Sequence, residues 1–195
     1  PDSVKTEGIR EITIEDVKYA DSWGGKIKLI GWAKREGDKV LTMVCPAFVK
    51  NSSQLASVSD VYNAVLVRGS ETGDTVFYGK GAGKNATASA VVADILDVIA
   101  GGEISKTLTW EDSEQDFIEN PDNATLGKYI RVKTDKPEEI EKIFGEVQML
   151  KRRCQPKDEY AFVCGASAES EIAIKADKLL NSGATILSQI NILDY

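Results

Sequence analysis

Histidine is absent from the 195 residues of this chain. Its absence excludes activation of a serine or cysteine nucleophile by an imidazole base, and it removes the commonest side-chain ligand of metal ions. Proton transfer would have to use lysine, aspartate, glutamate, tyrosine or cysteine, and none of these residue types forms a recognisable catalytic pattern. The sequence therefore predicts no catalytic residue and no metal site within the chain.

Cysteines and long apolar runs are also scarce. Cys45, Cys154 and Cys164 are scattered and form no Cys-x-x-Cys pair, which argues against a disulfide framework and against a zinc site. No apolar run approaches the ~18 residues that span a membrane, and the amino terminus has no signal-peptide core. The net charge of −7 argues against nucleic acids and anionic membrane surfaces as partners. A reducing cytoplasm is the expected location.

A glycine-rich turn between a predicted strand and a predicted helix is the most informative motif that is present. The pattern Gly81-x-Gly83-x-x-Ala86 fits the fingerprint of dinucleotide-binding turns, in which glycine permits a sharp turn and close approach of a ligand. The parallel strands that this fingerprint requires are missing, because residues 62–81 are typical of an antiparallel hairpin. Three interpretations remain open: a self-contained Rossmann unit, a turn that needs glycine only for its dihedral angles, and a ligand-contacting turn at a domain junction.

Residues 1–102 are predicted to form one antiparallel sheet with two helices. Thr13 can cap a helix over 14–22, with Asp16 at the capping-box position. A second helix is predicted over 87–100, with Val91, Ile95 and Val98 on one face. The predicted strands are 26–33 and 39–45, the second of which Pro46 ends, and a hairpin over 64–67 and 75–78.

Residues 127–195 are predicted to form a βαββαβ unit. Residues 103–126 are predicted to form a linker, because their apolar residues show no sustained periodicity. This order of elements is that of ferredoxin-like domains. The strands are predicted over 128–133, 149–154, 159–165 and 184–193, and the helices after Asp135 and over 169–180. The predicted fold class is therefore α+β, a mainly antiparallel sheet with flanking helices followed by a ferredoxin-like domain.

Motifs of the first block resemble the carboxy-terminal half of the homoserine dehydrogenase catalytic domain. They are Glu7-Gly8-Ile9, Asn63-Ala64-Val65, and the stretch from Tyr78-Gly79-Lys80-Gly81-Ala82-Gly83 into Thr87-Ala88-Ser89-Ala90. The second block resembles an ACT domain, a small ferredoxin-like amino-acid sensor. Its position after the first block supports that resemblance.

The first resemblance implies NAD(P)-dependent interconversion of homoserine and aspartate semialdehyde in threonine and methionine biosynthesis, with NAD or NADP as cofactor. In the family the Rossmann domain, the substrate-binding acids and the lysine proposed as proton donor precede the Glu-Gly-Ile motif. A chain that begins at Pro1 without methionine is expected to be part of a longer protein. The resemblance places Gly83 against the cofactor, with Thr87 assisting, although Asn85-Ala86 stands where a proline often precedes that threonine.

The ACT resemblance implies an amino-acid effector site at Asp135, Lys136 and Pro137. The first loop of that family usually reads Asp-x-Pro-Gly, whereas Glu138 stands in the place of the glycine here. Its carboxylate would repel the carboxylate of an amino-acid effector, and its side chain would hinder close approach. Two roles stay open for this block: binding an effector such as threonine, and only dimerising or packing.

Two classes of function therefore remain. In the first, the chain is part of a homoserine dehydrogenase and is inactive alone, because the sites for the cofactor and for proton transfer lie upstream. In the second, it is a non-catalytic module that senses an amino acid or dimerises. A homodimer is expected, because the strand over 184–193 carries alternating apolar side chains and is predicted to present an unpaired edge.

Overall fold

Residues 4–100 and 115–193 are described by the computed structural model. Their strands are β1 (Lys5–Thr6), β2 (Gly25–Glu36), β3 (Lys39–Lys50), β4 (Tyr62–Gly69), β5 (Gly73–Lys80), β6 (Thr125–Lys133), β7 (Val147–Leu150), β8 (Glu159–Ala168) and β9 (Thr185–Ile192). Their α-helices are α1 (Ile14–Trp23), α2 (Lys84–Ile99), α3 (Glu138–Phe144) and α4 (Glu169–Asn181), and short 3-10 helices cover Gln54–Ser57 and Pro121–Asn123. Within these ranges, no helix is long and apolar enough to cross a membrane.

Seven of the described strands form one mainly antiparallel sheet. Its order is β1-β3-β9-β6-β8-β7, and β2 also pairs with β3, whereas β4 and β5 form a separate two-stranded sheet. The α+β class is confirmed. The prediction of one sheet for the first block is wrong, because β3 pairs with β1 and β9 instead of with the β4–β5 hairpin.

Two compact units divide the chain differently from the predicted domains. One unit comprises Pro1–Ala56 and Phe117–Tyr195, and the other comprises Ser57–Asp116. The first unit is discontinuous because β2 and β3 join the strands of the second block in one sheet. The predicted division into regions 1–102, 103–126 and 127–195 therefore does not coincide with these units, and as an assignment of domain families it stays a prediction.

A ferredoxin-like arrangement is formed by the elements from β6 to β9. The chain order β6-α3-β7-β8-α4-β9 and the sheet order β9-β6-β8-β7 match the predicted βαββαβ unit. Strand β7 ends at Leu150, earlier than predicted, because the chain turns after it. Cys154 has a φ of 57° in that turn, and Nη1 of Arg152 donates hydrogen bonds to the carbonyl oxygens of Arg153 and Cys154 over 3.5 and 3.4 Å.

Strand β9 lies between β3 and β6 in the sheet order, so the prediction of an unpaired edge at 184–193 is wrong at the carboxy-terminal end of the strand. On one side it pairs antiparallel with β6, and on the other it pairs parallel with β3 through Ala47↔Asn191 and Phe48↔Ile192. The N–H of Leu193 continues this ladder by donating to the carbonyl oxygen of Phe48 over 3.1 Å. The carboxy-terminal end of β9 is therefore paired on both sides within the chain.

Strand β3 continues through Pro46 to Lys50, so the predicted end at Pro46 is wrong. Proline cannot donate to a ladder, and it is tolerated where no partner strand needs its N–H. Strand β1 pairs with Met43 and Val44, and β9 pairs with Ala47 and Phe48. Pro46 falls between these two ladders.

Part of the predicted linker belongs to the first compact unit. The N–H of Val40 donates to the carbonyl oxygen of Phe117 over 2.7 Å, and the N–H of Glu119 donates to the carbonyl oxygen of Val40 over 2.9 Å. A 3-10 helix follows at Pro121–Asn123, and β6 begins at Thr125. The prediction for 103–114 lies outside the described residues.

Strand β6 separates two buried apolar clusters of the first unit. Tyr129 belongs to a cluster with Tyr19 and Trp23 of α1 and with Phe48 of β3, and its ring stacks on that of Phe48 at 4.3 Å between centroids. Residues on the opposite face of β6 belong to the second cluster, which is formed with α3 and α4: Ile130, Val132, Ile140, Phe144, Phe162, Ile172 and Leu179. Because side chains alternate along a strand, α1 covers one face of the sheet, and α3 and α4 cover the other.

Candidate functional site

The glycine turn joins β5 to α2, as the sequence predicts. Helix α2 begins at Lys84, earlier than the predicted start at Thr87, because Gly83 already serves as its N-cap. Gly83 has φ 122° and ψ 148°, a backbone region that is open essentially only to glycine. The N–H of Thr87 donates to the carbonyl oxygen of Gly83 over 3.0 Å and closes the first helical turn.

Gly83 and Thr87 both lie exposed at the start of α2. A β-carbon built on Gly83 would meet no atom within 4 Å, so the space beside its α-carbon is open. The N–H groups in the first turn of a helix have no partner within the helix and carry the positive end of its dipole. An open turn with free donors fits a dinucleotide, and the cofactor role of both residues stays a prediction.

Helix α2 buries none of its residues. Its large apolar side chains, including the predicted packing face, are each more than half exposed: Val91, Val92, Ile95, Leu96, Val98 and Ile99. Contiguous apolar surface of this kind marks an interaction site in most proteins. The helix therefore presents an apolar surface immediately after the glycine turn.

The predicted effector loop lies between β6 and α3 in the first compact unit. Asp135 and Lys136 are exposed, and Pro137 is the N-cap of α3. The hydroxyl oxygen of Thr134 accepts a hydrogen bond from the N–H of Lys136 over 3.0 Å, which fixes the bend. Glu138 opens α3 with its neighbours Glu139 and Glu141 in the first turn, so three carboxylates directly follow the predicted effector loop, whose effector role stays a prediction.

A buried ionic cluster, which the sequence pattern does not predict, joins α1 to the ferredoxin-like strands. Oδ1 of Asp16 accepts hydrogen bonds from Nε of Arg131 at 2.9 Å and from the hydroxyl of Tyr129 at 3.0 Å. Its Oδ2 accepts from the N–H and the hydroxyl of Thr13 at 2.9 and 2.7 Å. The predicted capping-box carboxylate therefore caps α1 and also binds strand β6.

Glu159 of β8 extends the cluster. Its Oε2 accepts from Nη1 of Arg131 over 3.2 Å, and its Oε1 accepts from the hydroxyl of Tyr19 over 2.9 Å. The same Oε1 accepts from Nη2 of Arg152 over 2.7 Å. Two carboxylates and two guanidinium groups balance one another, so the buried charges are paired as burial requires.

Burial and neighbouring groups shift the pKa values of Asp16, Tyr19 and Tyr129 in this cluster. Burial by itself would raise the pKa of Asp16, but the hydrogen bonds from Thr13 and Arg131, with the Arg131 charge, hold it below its usual value. Burial, together with the neighbouring carboxylates, raises the pKa values of the phenols of Tyr19 and Tyr129. Near neutral pH Asp16 is therefore a carboxylate, and the phenols of Tyr19 and Tyr129 keep their protons and donate hydrogen bonds.

A second polar group lies where β1, β6, β9 and α4 meet. The ammonium of Lys128 lies 2.8 Å from Oε2 of Glu169 and 2.8 Å from Oδ1 of Asn191, and Lys5 lies 3.1 Å from Oε1 of Glu169. Burial would raise the pKa of Glu169, but the hydrogen bond and charge of Lys128 and the charge of Lys5 lower it. This group is a stabilising network, with every charge paired.

The sequence carried only a weak signal for these buried charges. Lys128 and Arg131 lie in a strand that alternation predicts correctly, but alternation assigns charged residues to the exposed face. Arg131 is 6% exposed and Lys128 is 4% exposed. An available signal was the excess of charged residues on both faces of a strand that is also rich in apolar residues.

The described residues favour neither metal binding nor nucleophilic chemistry by a buried thiol. Among them, no group of histidine, cysteine, aspartate and glutamate side chains could hold a metal ion. All three cysteines are free, and Cys154 is the exposed one. Burial raises the pKa of the thiols of Cys45 and Cys164, which makes them poor nucleophiles.

Comparisons with known proteins find similarity over the segment that contains the glycine turn. Residues 1–96 match the sequence model of the family described as homoserine dehydrogenase. The homoserine dehydrogenase of Pseudomonas aeruginosa is 44% identical over 98 residues, which cover 50% of this chain and 23% of that protein. The homoserine dehydrogenase of Lactococcus lactis is 34% identical over 137 residues, which cover 69% of this chain and 32% of that protein.

Solved structures are similar over nearly the whole chain. A homoserine dehydrogenase from Thiobacillus denitrificans matches with a TM-score of 0.80 and 26% identity, over 99% of this chain and 48% of that one. The homoserine dehydrogenase of S. aureus at pH 6.0 matches with a TM-score of 0.71 and 30% identity, over 98% of this chain and 48% of that one. The chain thus spans about half the length of these solved structures, and the similarity extends through the ferredoxin-like strands.

Proposed function

Because residues 1–96 of the chain belong to the homoserine dehydrogenase family, we propose that the chain forms part of an NAD(P)-dependent homoserine dehydrogenase. That enzyme would interconvert homoserine and aspartate semialdehyde on the route to threonine and methionine. The observation that carries the proposal is the glycine turn. It lies within the matched residues, and Gly83 leaves open space at the start of α2.

The turn would contribute binding and orientation. A bound nicotinamide cofactor would supply the hydride transfer, and the protein would position it. Gly83 would let the backbone approach the cofactor, since no side chain fills the space beside its α-carbon. Thr87 would assist from the first turn of α2, where its N–H already holds the carbonyl oxygen of Gly83.

The ferredoxin-like elements would form an ACT-like module in this enzyme. Their strand order supports this proposal, and Asp135, Lys136 and Pro137 would be its effector-binding loop. The paired charges of Asp16 and Arg131 favour the alternative role of this module, packing against α1. Glu138, at the position where effector-binding loops of this type have glycine, favours the same alternative.

A homodimer is the proposed assembly, with its contact on the hairpin instead of at β9. On one face of the hairpin Val65 pairs with Phe77, and these side chains are 61% and 64% exposed. Val67 lies on the same face and is also exposed. A second copy with the same apolar face could cover them, as symmetric dimers pair identical surfaces.

Homoserine oxidation by the protein at its native length tests the proposed function. Formation of NADH or NADPH is measured with homoserine and either NAD or NADP, after removal of host enzyme. The 195 residues expressed alone are expected to form neither, because in the family the cofactor-binding and proton-transfer residues precede the Glu-Gly-Ile motif. A native-length protein that folds and yet gives no homoserine-dependent signal with either cofactor contradicts the proposal.

A graft provides the matched control. Residues 1–96 replace the aligned segment of the Pseudomonas aeruginosa homoserine dehydrogenase, to which they are 44% identical. We expect the graft to retain homoserine oxidation, and a graft with Gly79→Ala to do so equally, because a β-carbon at Gly79 meets nothing within 4 Å. A folded but inactive graft would show that this segment does not serve the same role.

A further inference from the structure

Two glycines near the end of β5 leave one face of the β4–β5 hairpin without side chains from that segment. Asn63 of β4 pairs with Gly79 of β5. Gly81 lies two residues beyond Gly79, on the same face and diagonally opposite Asn63, because side chains alternate along a strand. The side chain of Asn63 extends into the space beside the bare α-carbon of Gly81.

The side chain of Asn63 approaches Gly81 so closely that any side chain at position 81 would displace its carboxamide. A β-carbon built on Gly81 would overlap Nδ2 of Asn63 and would lie 3.0 Å from its Cγ. Gly81 is not among the glycines with positive φ, whereas Gly83 is. The two glycines of the turn therefore serve different needs: Gly83 satisfies a dihedral angle, and Gly81 gives space to a neighbouring side chain.

The opposite face of the hairpin is fixed by aromatic packing. The rings of Tyr62 and Tyr78 stack with centroids 4.9 Å apart and planes 7° from parallel. The ammonium of Lys80 lies 5.8 Å from the centroid of the Tyr62 ring. The end of β5 is thus held from one face by Tyr62 and contacted from the other by Asn63.

We propose that Asn63 is a positioning residue for the glycine turn. By packing over Gly81, its carboxamide fixes the course of the chain from Lys80 to Gly83, and with it the direction of the Gly83 backbone at the start of α2. The consequence for catalysis rests on the proposed function, in which this turn contacts the nicotinamide cofactor. Asn63 acts through the turn and needs no contact with the reacting atoms.

A double-mutant cycle in the native-length protein tests the packing. Gly81→Ala is expected to lower the melting temperature by roughly 5 °C and to raise the cofactor KM about tenfold. Asn63→Ala alone is expected to raise the cofactor KM about threefold, with the homoserine KM unchanged. In the double variant at least half of the Gly81→Ala loss should be recovered, because the Cβ retained at position 63 lies 3.4 Å from the new β-carbon, an ordinary contact.

Two further variants separate packing from other roles. Gly79→Ala changes the direct cross-strand partner of Asn63, where a β-carbon meets nothing within 4 Å, and its effect should add to that of Asn63→Ala without coupling. Asn63→Leu keeps the branched shape without a hydrogen-bonding group, and it should keep the wild-type cofactor KM. A cofactor KM as high in Asn63→Leu as in Asn63→Ala would make Asn63 a hydrogen-bonding residue and overturn the proposal.

These measurements distinguish a failure of the positioning role of Asn63 from a failure of the proposed function. Additive effects of Asn63→Ala and Gly81→Ala on melting overturn the positioning role, whatever the activity. A wild-type protein without homoserine-dependent turnover refutes the proposed function before any variant is made. In that case the melting cycle, with the amide NMR resonance of Gly83, which must shift in Asn63→Ala, still decides whether Asn63 positions the turn.

Discussion

Arg131 donates a hydrogen bond from Nε to Oδ1 of Asp16 over 2.9 Å, although 115 residues separate them. Asp16 lies within the residues that match the homoserine dehydrogenase family, and Arg131 lies in the ferredoxin-like strands. Both side chains are buried. The N-terminus of α1 and strand β6 are therefore held by one carboxylate, and loss of either partner should affect both.

Replacing Arg131 by methionine is expected to destabilise the first compact unit by about 3–5 kcal/mol, because it leaves the buried carboxylates of Asp16 and Glu159 without their shared cation. Urea unfolding followed by tryptophan fluorescence measures the change. Lys133→Met is the control, since Lys133 lies on the same strand but is exposed and should matter little. A loss for Arg131→Met no larger than that for the control would show that the cluster contributes nothing to stability.

Stability is expected to fall in acid through Asp16 and Glu169. The folded-state pKa of each is lowered, so each contributes stability that is fully present above its unfolded pKa, about 3.9 for Asp and 4.3 for Glu. That contribution is lost as the pH falls through the folded value. Unfolding free energies measured between pH 7 and pH 3 should decline less steeply in Asp16→Asn than in the wild type. Equal slopes in the two proteins would contradict the assignment to Asp16.

Gly83→Ala should raise the cofactor KM or lower kcat in the native-length protein, with little change in homoserine binding. It should also cost on the order of 1 kcal/mol, because alanine is strained at positive φ. Gly73→Ala is the matched control, since Gly73 also has a positive φ and open space but lies at the start of β5, at the other end of that strand. If both variants melt early and neither alters cofactor kinetics, Gly83 serves only the shape of the turn.

Light scattering at micromolar concentration is expected to show a dimer of the chain. Phe77→Glu should raise the dissociation constant by about tenfold or more, because it places a charge on the exposed apolar face of the hairpin. Ser70→Glu adds the same charge in the hairpin turn and should leave the dimer intact. A monomer at all dilutions, or equal effects of the two variants, would remove the hairpin as the contact.

Local signals account for the elements that the sequence predicts correctly. Thr13 and Asp16 define the start of α1, the turn-rich residues 69–74 define the hairpin, and Gly83 precedes α2. Each of these features depends on residues within a few positions of one another. The ferredoxin-like order follows in the same way, from the alternation of short strands and amphipathic helices.

Long-range pairing explains what the sequence does not predict. The burial of Arg131 depends on Asp16 and Glu159, which lie on other elements, and a charged residue in a strand by itself indicates exposure. The interior position of β9 depends on β3, whose register is set far away in the chain. The close approach of Asn63 to Gly81 likewise needs the hairpin register, because no sequence pattern states which glycine a side chain will cover.

The pairing of β3 with β9 also constrains the order in which the chain can fold while it is being synthesised. Nδ2 of Asn191 lies 3.4 Å from Sγ of Cys45, although 146 residues separate them. When β3 leaves the ribosome it can pair with β2, which precedes it, but β9 has not yet been made. The edge of β3 that pairs with β9 therefore stays open while the β4–β5 hairpin and α2, which form from near neighbours, are already able to fold. Contacts of such long range slow folding and leave a strand edge exposed to aggregation in the meantime. In the nascent chain, the edge of β3 at Ala47 and Phe48 therefore stays unpaired until β9 has emerged.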